Sequence, residues 1–122
     1  MEDVVSLRPL ASFLYARNLV AEDSSFNEII DLARKVSDSL TKLCEDLLSL
    51  SDGSPDEAIQ AVYYEAGKLH FADRLRFWFR IIYQMIFKED DGCRMGQFTN
   101  TMTIHWVVER LRLVQGDPWS AY

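Results

Sequence analysis

Two cysteines in 122 residues, Cys44 and Cys93, stand alone. Without CxxC spacing or a neighbouring His/Cys cluster they form neither a zinc motif nor a secreted disulfide framework, so reduced thiols in a cytoplasmic protein are expected. Uncharged apolar runs fall far short of the roughly 20 residues that span a bilayer, which argues against a transmembrane helix and a membrane partner. The opening stretch, MEDVVSLRPL, has no basic segment leading into an apolar block, and no signal peptide is expected. Alternating β patterns, internal repeats and low-complexity tracts are missing too. Basic charge is scarce: 13 Lys and Arg against 19 Asp and Glu leave a net charge of −6. Phosphate binding is powered by cations that release counterions, so the chain as a whole is poorly matched to a polyanion.

What is present is apolar. At 48% hydrophobic and 12% aromatic, the chain has material for one packed domain over residues 1–122, and disorder as its main state is excluded. Its charge is unevenly spread. Residues 1–60 hold 12 acids and 5 bases, residues 61–122 hold 7 acids and 8 bases, and all 8 of those bases lie between Lys68 and Arg112. A polyanion would approach the second half and be repelled by the first.

The apolar spacing is helical nearly throughout and predicts an all-α bundle of about five helices. The first runs from Leu7 to Leu19, with Pro9 in its first turn. The second opens on the capping box Ser25–Glu28 and carries an apolar stripe from Phe26 to Leu50. The third opens at Ser54-Pro55-Asp56-Glu57, buries Ala58, Ile59, Val62, Tyr63 and Ala66, and is weakened near its end by Gly67. The fourth runs from Asp73 to Lys88 and is apolar around most of its circumference, as a central helix should be. The last runs from Ile104 to Val114, with Thr103 as N-cap.

Chemistry concentrates on the fourth helix and the loop after it. Arg76, Arg80, Gln84 and Lys88 recur every fourth residue as a polar line, flanked by Phe77, Tyr83 and Phe87. Cations that track phosphates, interleaved with rings on which unstacked bases can lie, suit single-stranded nucleic acid. A solvated edge of a buried helix would look the same. In the loop, Gly92 and Gly96 allow a tight turn that re-enters helix at Gln97 or Phe98. Arg94 between them is placed to hold a phosphate or carboxylate through its planar fork. Glu89, Asp90 and Asp91 are expected to pair with these arginines and shape the loop.

The motifs RFWFRIIYQMIF and GCRMGQF, followed by an amphipathic helix, resemble the C-terminal end of class I lysyl-tRNA synthetases. That family shows a WF-x-x-x-Y helix and then a G-P-R-x-G-x-F turn. Trp78, Phe79 and Tyr83 match the helix; Gly92, Arg94, Gly96 and Phe98 match the turn, with Cys93 in place of the proline. VVSLRPLASFLYARNLV and AIQAVYYEAGK resemble the family's preceding helices.

The resemblance implies a C-terminal, anticodon-binding piece of a longer ATP-dependent lysine–tRNA ligase. Its partners would be the anticodon loop of lysine tRNA and the catalytic domain of the same parent chain. ATP would bind in that catalytic domain and no cofactor in this chain, where neither the HIGH nor the KMSKS signature occurs. The candidate RNA contacts are Arg76, Arg80, Gln84, Lys88 and Arg94, with Phe77, Phe87, Phe98 and Trp106 as stacking or supporting rings.

Two other readings follow from the residues. The long second helix and the acidic N-terminal half form a protein-interaction module in one. In the other, Asp90, Asp91, His105 and Glu109 build a metal-dependent hydrolase, although no calcium-loop or GxSxG spacing is present.

Overall fold

The computed structural model describes residues 4–51 and 53–116, and its regular structure is six α-helices. They are α1 (Val4–Ala16), α2 (Phe26–Leu48), α3 (Asp56–Phe71), α4 (Leu75–Phe87), α5 (Met95–Met102) and α6 (Ile104–Gly116). No strand occurs among the described residues.

α1 closes sooner than its apolar spacing implies. Asn18 adopts a left-handed conformation, φ 58°, so that the Leu19 N–H reaches the Leu14 carbonyl at 2.9 Å and the Asn18 N–H reaches Tyr15 at 3.1 Å. This paired closure satisfies carbonyls the helix end would otherwise leave bare. Because α1 also starts earlier than expected, Pro9 lies inside it and not in its first turn.

α2 begins on the expected capping box: the Ser25 hydroxyl accepts from the Glu28 N–H at 3.2 Å, and the Glu28 carboxylate accepts from the Ser25 N–H at 3.0 Å. Ile30, Ala33, Val36, Leu40, Leu43 and Leu47 are buried, while Phe26 at its start is exposed. α1, α3 and α6 all pack against this helix. Its stripe is therefore the spine of its own bundle, with Phe26 and Leu48 left exposed at its two ends.

α3 differs from its expected start by one position. Pro55 is the N-cap and not the first helical residue, and the Ser54 hydroxyl donates back to the Ser51 carbonyl at 2.8 Å. Gly67 does not end the helix, which continues to Phe71. The glycine makes room instead: a Cβ there would lie 2.4 Å from the Trp78 indole. The indole fits over this gap, donates to the Tyr63 carbonyl at 3.0 Å and stacks on Phe71 at 5.9 Å.

α4 was expected at the centre and lies to one side, packed on α3 and α6. The shared neighbours are α3, which meets α2, α4 and α5, and α6, which meets α1, α2, α4 and α5.

The sixth helix, α5, replaces the single turn expected at Gln97 or Phe98. It is held against the start of α3 by long-range contacts: Gly96 N–H to Gln60 Oε1 at 2.7 Å, Tyr63 hydroxyl with Thr99 Oγ1 at 2.8 Å, and Asn100 amide to the Ser54 carbonyl at 3.1 Å. Gly96 permits this approach, since a Cβ at that position would sit 2.2 Å from the Asp56 carbonyl oxygen. Thr103 then caps α6 as expected, its hydroxyl accepting from the Trp106 N–H at 3.2 Å.

Candidate functional site

The docking of α5 on α3 carries the loop between α4 and α5 back over the face of α4. Arg94, last residue of that loop and N-cap of α5, is thereby placed opposite Arg76 from the first turn of α4. Together with Gln60, Tyr64, Leu75, Phe79 and Tyr83 they line a cleft of about 350 Å³. Both arginines are exposed, and among the described residues neither takes part in an ion pair.

Aromatic rings extend from this cleft along the surface. Tyr64 meets Phe79 edge-on at 5.0 Å, Phe79 and Tyr83 are 6.1 Å apart, and Tyr83 and Phe87 are again 6.1 Å apart. The series continues through Phe98 at 4.8 Å to Trp106 at 5.8 Å, so it crosses α3, α4, α5 and α6. Its ends are the most open, Tyr64 at 42% and Trp106 at 40% exposure, and the rings between them are half-buried. Gly92 lies flat against the middle of the series, where a Cβ would fall 2.9 Å from Phe87 and 3.3 Å from Tyr83. Burial, with Cys93, Tyr64 and Asp91 nearby, pushes the Tyr83 phenol up from its usual value, so it stays a neutral donor and acceptor.

The polar line expected along α4 does not stay on one face. Each step of four residues overshoots a full helical turn by about 40°, so three steps carry Lys88 roughly a third of the way round from Arg76. Arg80 is half-buried and tied to Asp90 at 2.9 Å. Gln84 is only 8% exposed; its amide donates to the same Asp90 oxygen at 2.8 Å, and its own oxygen lies 3.5 Å from the Arg17 guanidinium. The Arg80 and Gln84 donors hold the Asp90 carboxyl below the usual carboxylate range. Asp90 thus pins the loop to α4, as the acidic run was expected to do. Gln84 is thus engaged in a tie between Arg17 and the loop. Lys88 is exposed beyond the end of α4 in a left-handed conformation, φ 60°.

Phe77 is also turned away from the cleft. It points toward the other side of the bundle, with the Arg74 guanidinium 5.0 Å above its ring and Phe71 at 5.9 Å, and it lines a separate hollow with Leu19, Val20 and Lys35. Trp78 is core. Arg76, Arg94, Phe79 and Tyr83 come together; Phe87, Phe98 and Trp106 join through the ring series; Gln84 and Phe77 do not. Two residues that face the cleft, Gln60 and Tyr64, were not singled out from the sequence. Their signal was weak: they are four apart on α3, next to Tyr63 on the buried side.

The chain is similar to part of lysine–tRNA ligases. It is 31% identical over 81 residues to that of Rickettsia felis, covering 66% of this chain and 15% of the relative. It is 41% identical over 64 residues to that of Halobacterium salinarum, covering 52% of this chain and 12% of the relative. It is 26% identical over 112 residues to that of Rickettsia conorii, covering 92% of this chain and 19% of the relative. The chain therefore spans less than a fifth of the length of these proteins. No family model and no solved structure matches it.

Among the described residues no three His, Cys, Asp or Glu side chains gather as metal ligands, and Asp90 is engaged by Arg80 and Gln84. The hydrolase reading therefore has no gathered ligand set among the described residues. Both cysteines are free, Cys44 buried and Cys93 exposed on the loop. No described helix is long and apolar enough to cross a membrane.

Proposed function

We propose that this chain is the helical tRNA-binding region of a class I lysine–tRNA ligase, and that the cleft between α3, α4 and the Arg94 loop grips the anticodon loop of lysine tRNA. One observation carries the reading: two arginines outside any ion pair among the described residues converge from separate elements on a cleft walled by Tyr64, Phe79 and Tyr83. Guanidinium groups hold phosphate oxygens through paired N–H donors, and flat side chains receive bases that are not paired to another strand. A loop of RNA offers both at once. Similarity to lysine–tRNA ligases supports the choice of tRNA.

In this account Arg76 and Arg94 are the principal phosphate contacts. Lys88 and the ion-paired Arg80 extend the positive edge, and Phe87, Phe98 and Trp106 give the loop further surface. The chain spans one helical domain of a longer parent, whose catalytic domain binds ATP and lysine and is its partner within the same polypeptide. Ligation belongs there; recognition belongs here.

Fluorescence anisotropy with a labelled anticodon hairpin of lysine tRNA tests the reading. Binding is expected to be tighter than to the same hairpin with an exchanged anticodon. Two phosphate contacts on a single strand predict that log K falls against log salt with a slope of at least about −1.4. Equal affinity for both hairpins, or affinity indifferent to salt, contradicts it.

A further inference from the structure

Gln60 lies in the wall of the cleft with 7% of its surface exposed. Its Oε1 accepts from the Gly96 N–H at 2.7 Å. A backbone N–H can only donate, so the atom facing it must be the amide oxygen, and the orientation of the carboxamide is fixed. The NH₂ group on the other side has no acceptor among the described residues. It is not sealed from solvent but opens on the cleft, where it offers two N–H donors to whatever binds there. The charged neighbours sharing the cleft, Arg76 and Arg94, likewise only donate. The site offers flat walls and a surplus of donors.

We infer that Gln60 selects the base held in this cleft, donating to the exocyclic keto oxygen of an unstacked uracil or guanine. Cytosine and adenine put an amino group at the corresponding position and would set donor against donor. A glutamine free at both ends pairs with adenine by donating and accepting together. Here one lone pair of the accepting end is taken by Gly96 and that end is turned toward α5, so the donating end is what meets the base and favours a keto oxygen over an amino group at that position. The close approach of Gly96 to α3 thus has a second consequence: it orients the reader as well as seating α5. The inference rests on the cleft's being an RNA site.

Gln60→Glu tests it. The side chain keeps its shape, one carboxylate oxygen still accepts from Gly96, and the other turns an acceptor toward the base. The probes are lysine anticodon hairpins in which each loop uridine is changed singly to cytidine. For the wild type, one position is expected at which the change weakens binding on the order of tenfold, and Gln60→Glu should abolish or invert that ratio there. The added negative charge weakens both hairpins of a pair and cancels in the ratio. Should Gln60→Glu fail to fold, the wild-type chain is titrated with hairpins carrying a uridine analogue that has hydrogen in place of the 4-oxygen, and a loss of similar size is expected at one position. If every cytidine or analogue hairpin binds the wild type within about twofold of the parent, or the ratios are unchanged in Gln60→Glu, Gln60 is not the reader, although the RNA site stands. If the wild type binds no hairpin, the RNA reading falls and this inference falls with it.

Discussion

In the double variant Arg76→Glu/Arg94→Glu, affinity for the lysine anticodon hairpin is expected to drop on the order of 10²–10³-fold at low salt, with the fold unchanged. Two phosphate contacts are lost, and two negative charges then face the strand in a chain whose net charge is already −6. The salt slope should flatten by about 1.4, since each lost contact on a single strand removes about 0.7. Both side chains are exposed and outside any ion pair among the described residues, so helix content and thermal midpoint should hold. The matched control is Arg80→Gln, which removes a charge already paired with Asp90 while keeping a side-chain donor toward it. It should cost much less affinity.

The second large effect is on stability. Trp78→Ala is expected to destabilise the domain by about 3–5 kcal/mol, read as a lowered urea midpoint. The indole is fully buried, lies in the gap left by Gly67, stacks on Phe71 and donates to the Tyr63 carbonyl. Alanine leaves a cavity between α3 and α4 that the neighbours fill only in part. Trp106→Ala is the contrast: that ring is 40% exposed and meets only the edge of Phe98 within the series, so its loss should cost about 1 kcal/mol. Against a typical total of about 5–15 kcal/mol, the first change unfolds a large share of molecules on mild stress and the second does not.

These expectations show which parts of the molecule were legible in its residues. Ser25 and Glu28 announced the start of α2, and Thr103 that of α6, because a cap is a local bargain between neighbours in sequence. Most of the buried face of α2, and Ile59, Tyr63 and Ala66 on α3, followed from apolar spacing for the same reason, whereas Ala58 and Val62 are only half-buried. α5 was missed because its eight residues are too few to show a period and are held by Gln60, Tyr63 and Ser54, far away in the chain. The part Gly67 plays in seating Trp78 was missed for a similar reason. Its meaning depends on an indole that arrives from another helix.

The site was half legible. Arg94 stood out through its flanking glycines, and Arg76 through the polar line, but that line winds around α4 and takes Gln84 under the end of α1. Spacing assigns a residue to a face; it does not say which neighbour covers that face. Phe77 and Tyr83 are both aromatic residues beside the same arginines, yet only Tyr83 faces Arg94 across the cleft. Tyr64 and Gln60 come from another helix altogether, and only the three-dimensional closure of α5 makes them part of one surface.

The most direct measurement is a titration of the isotope-labelled chain with the lysine anticodon hairpin, followed by amide chemical shifts. The account predicts that the largest changes gather at residues 60, 64, 76, 79, 83 and 94, with lesser ones running toward Trp106. Changes centred on α1 and the acidic face of α2, or none at saturating hairpin, would contradict it.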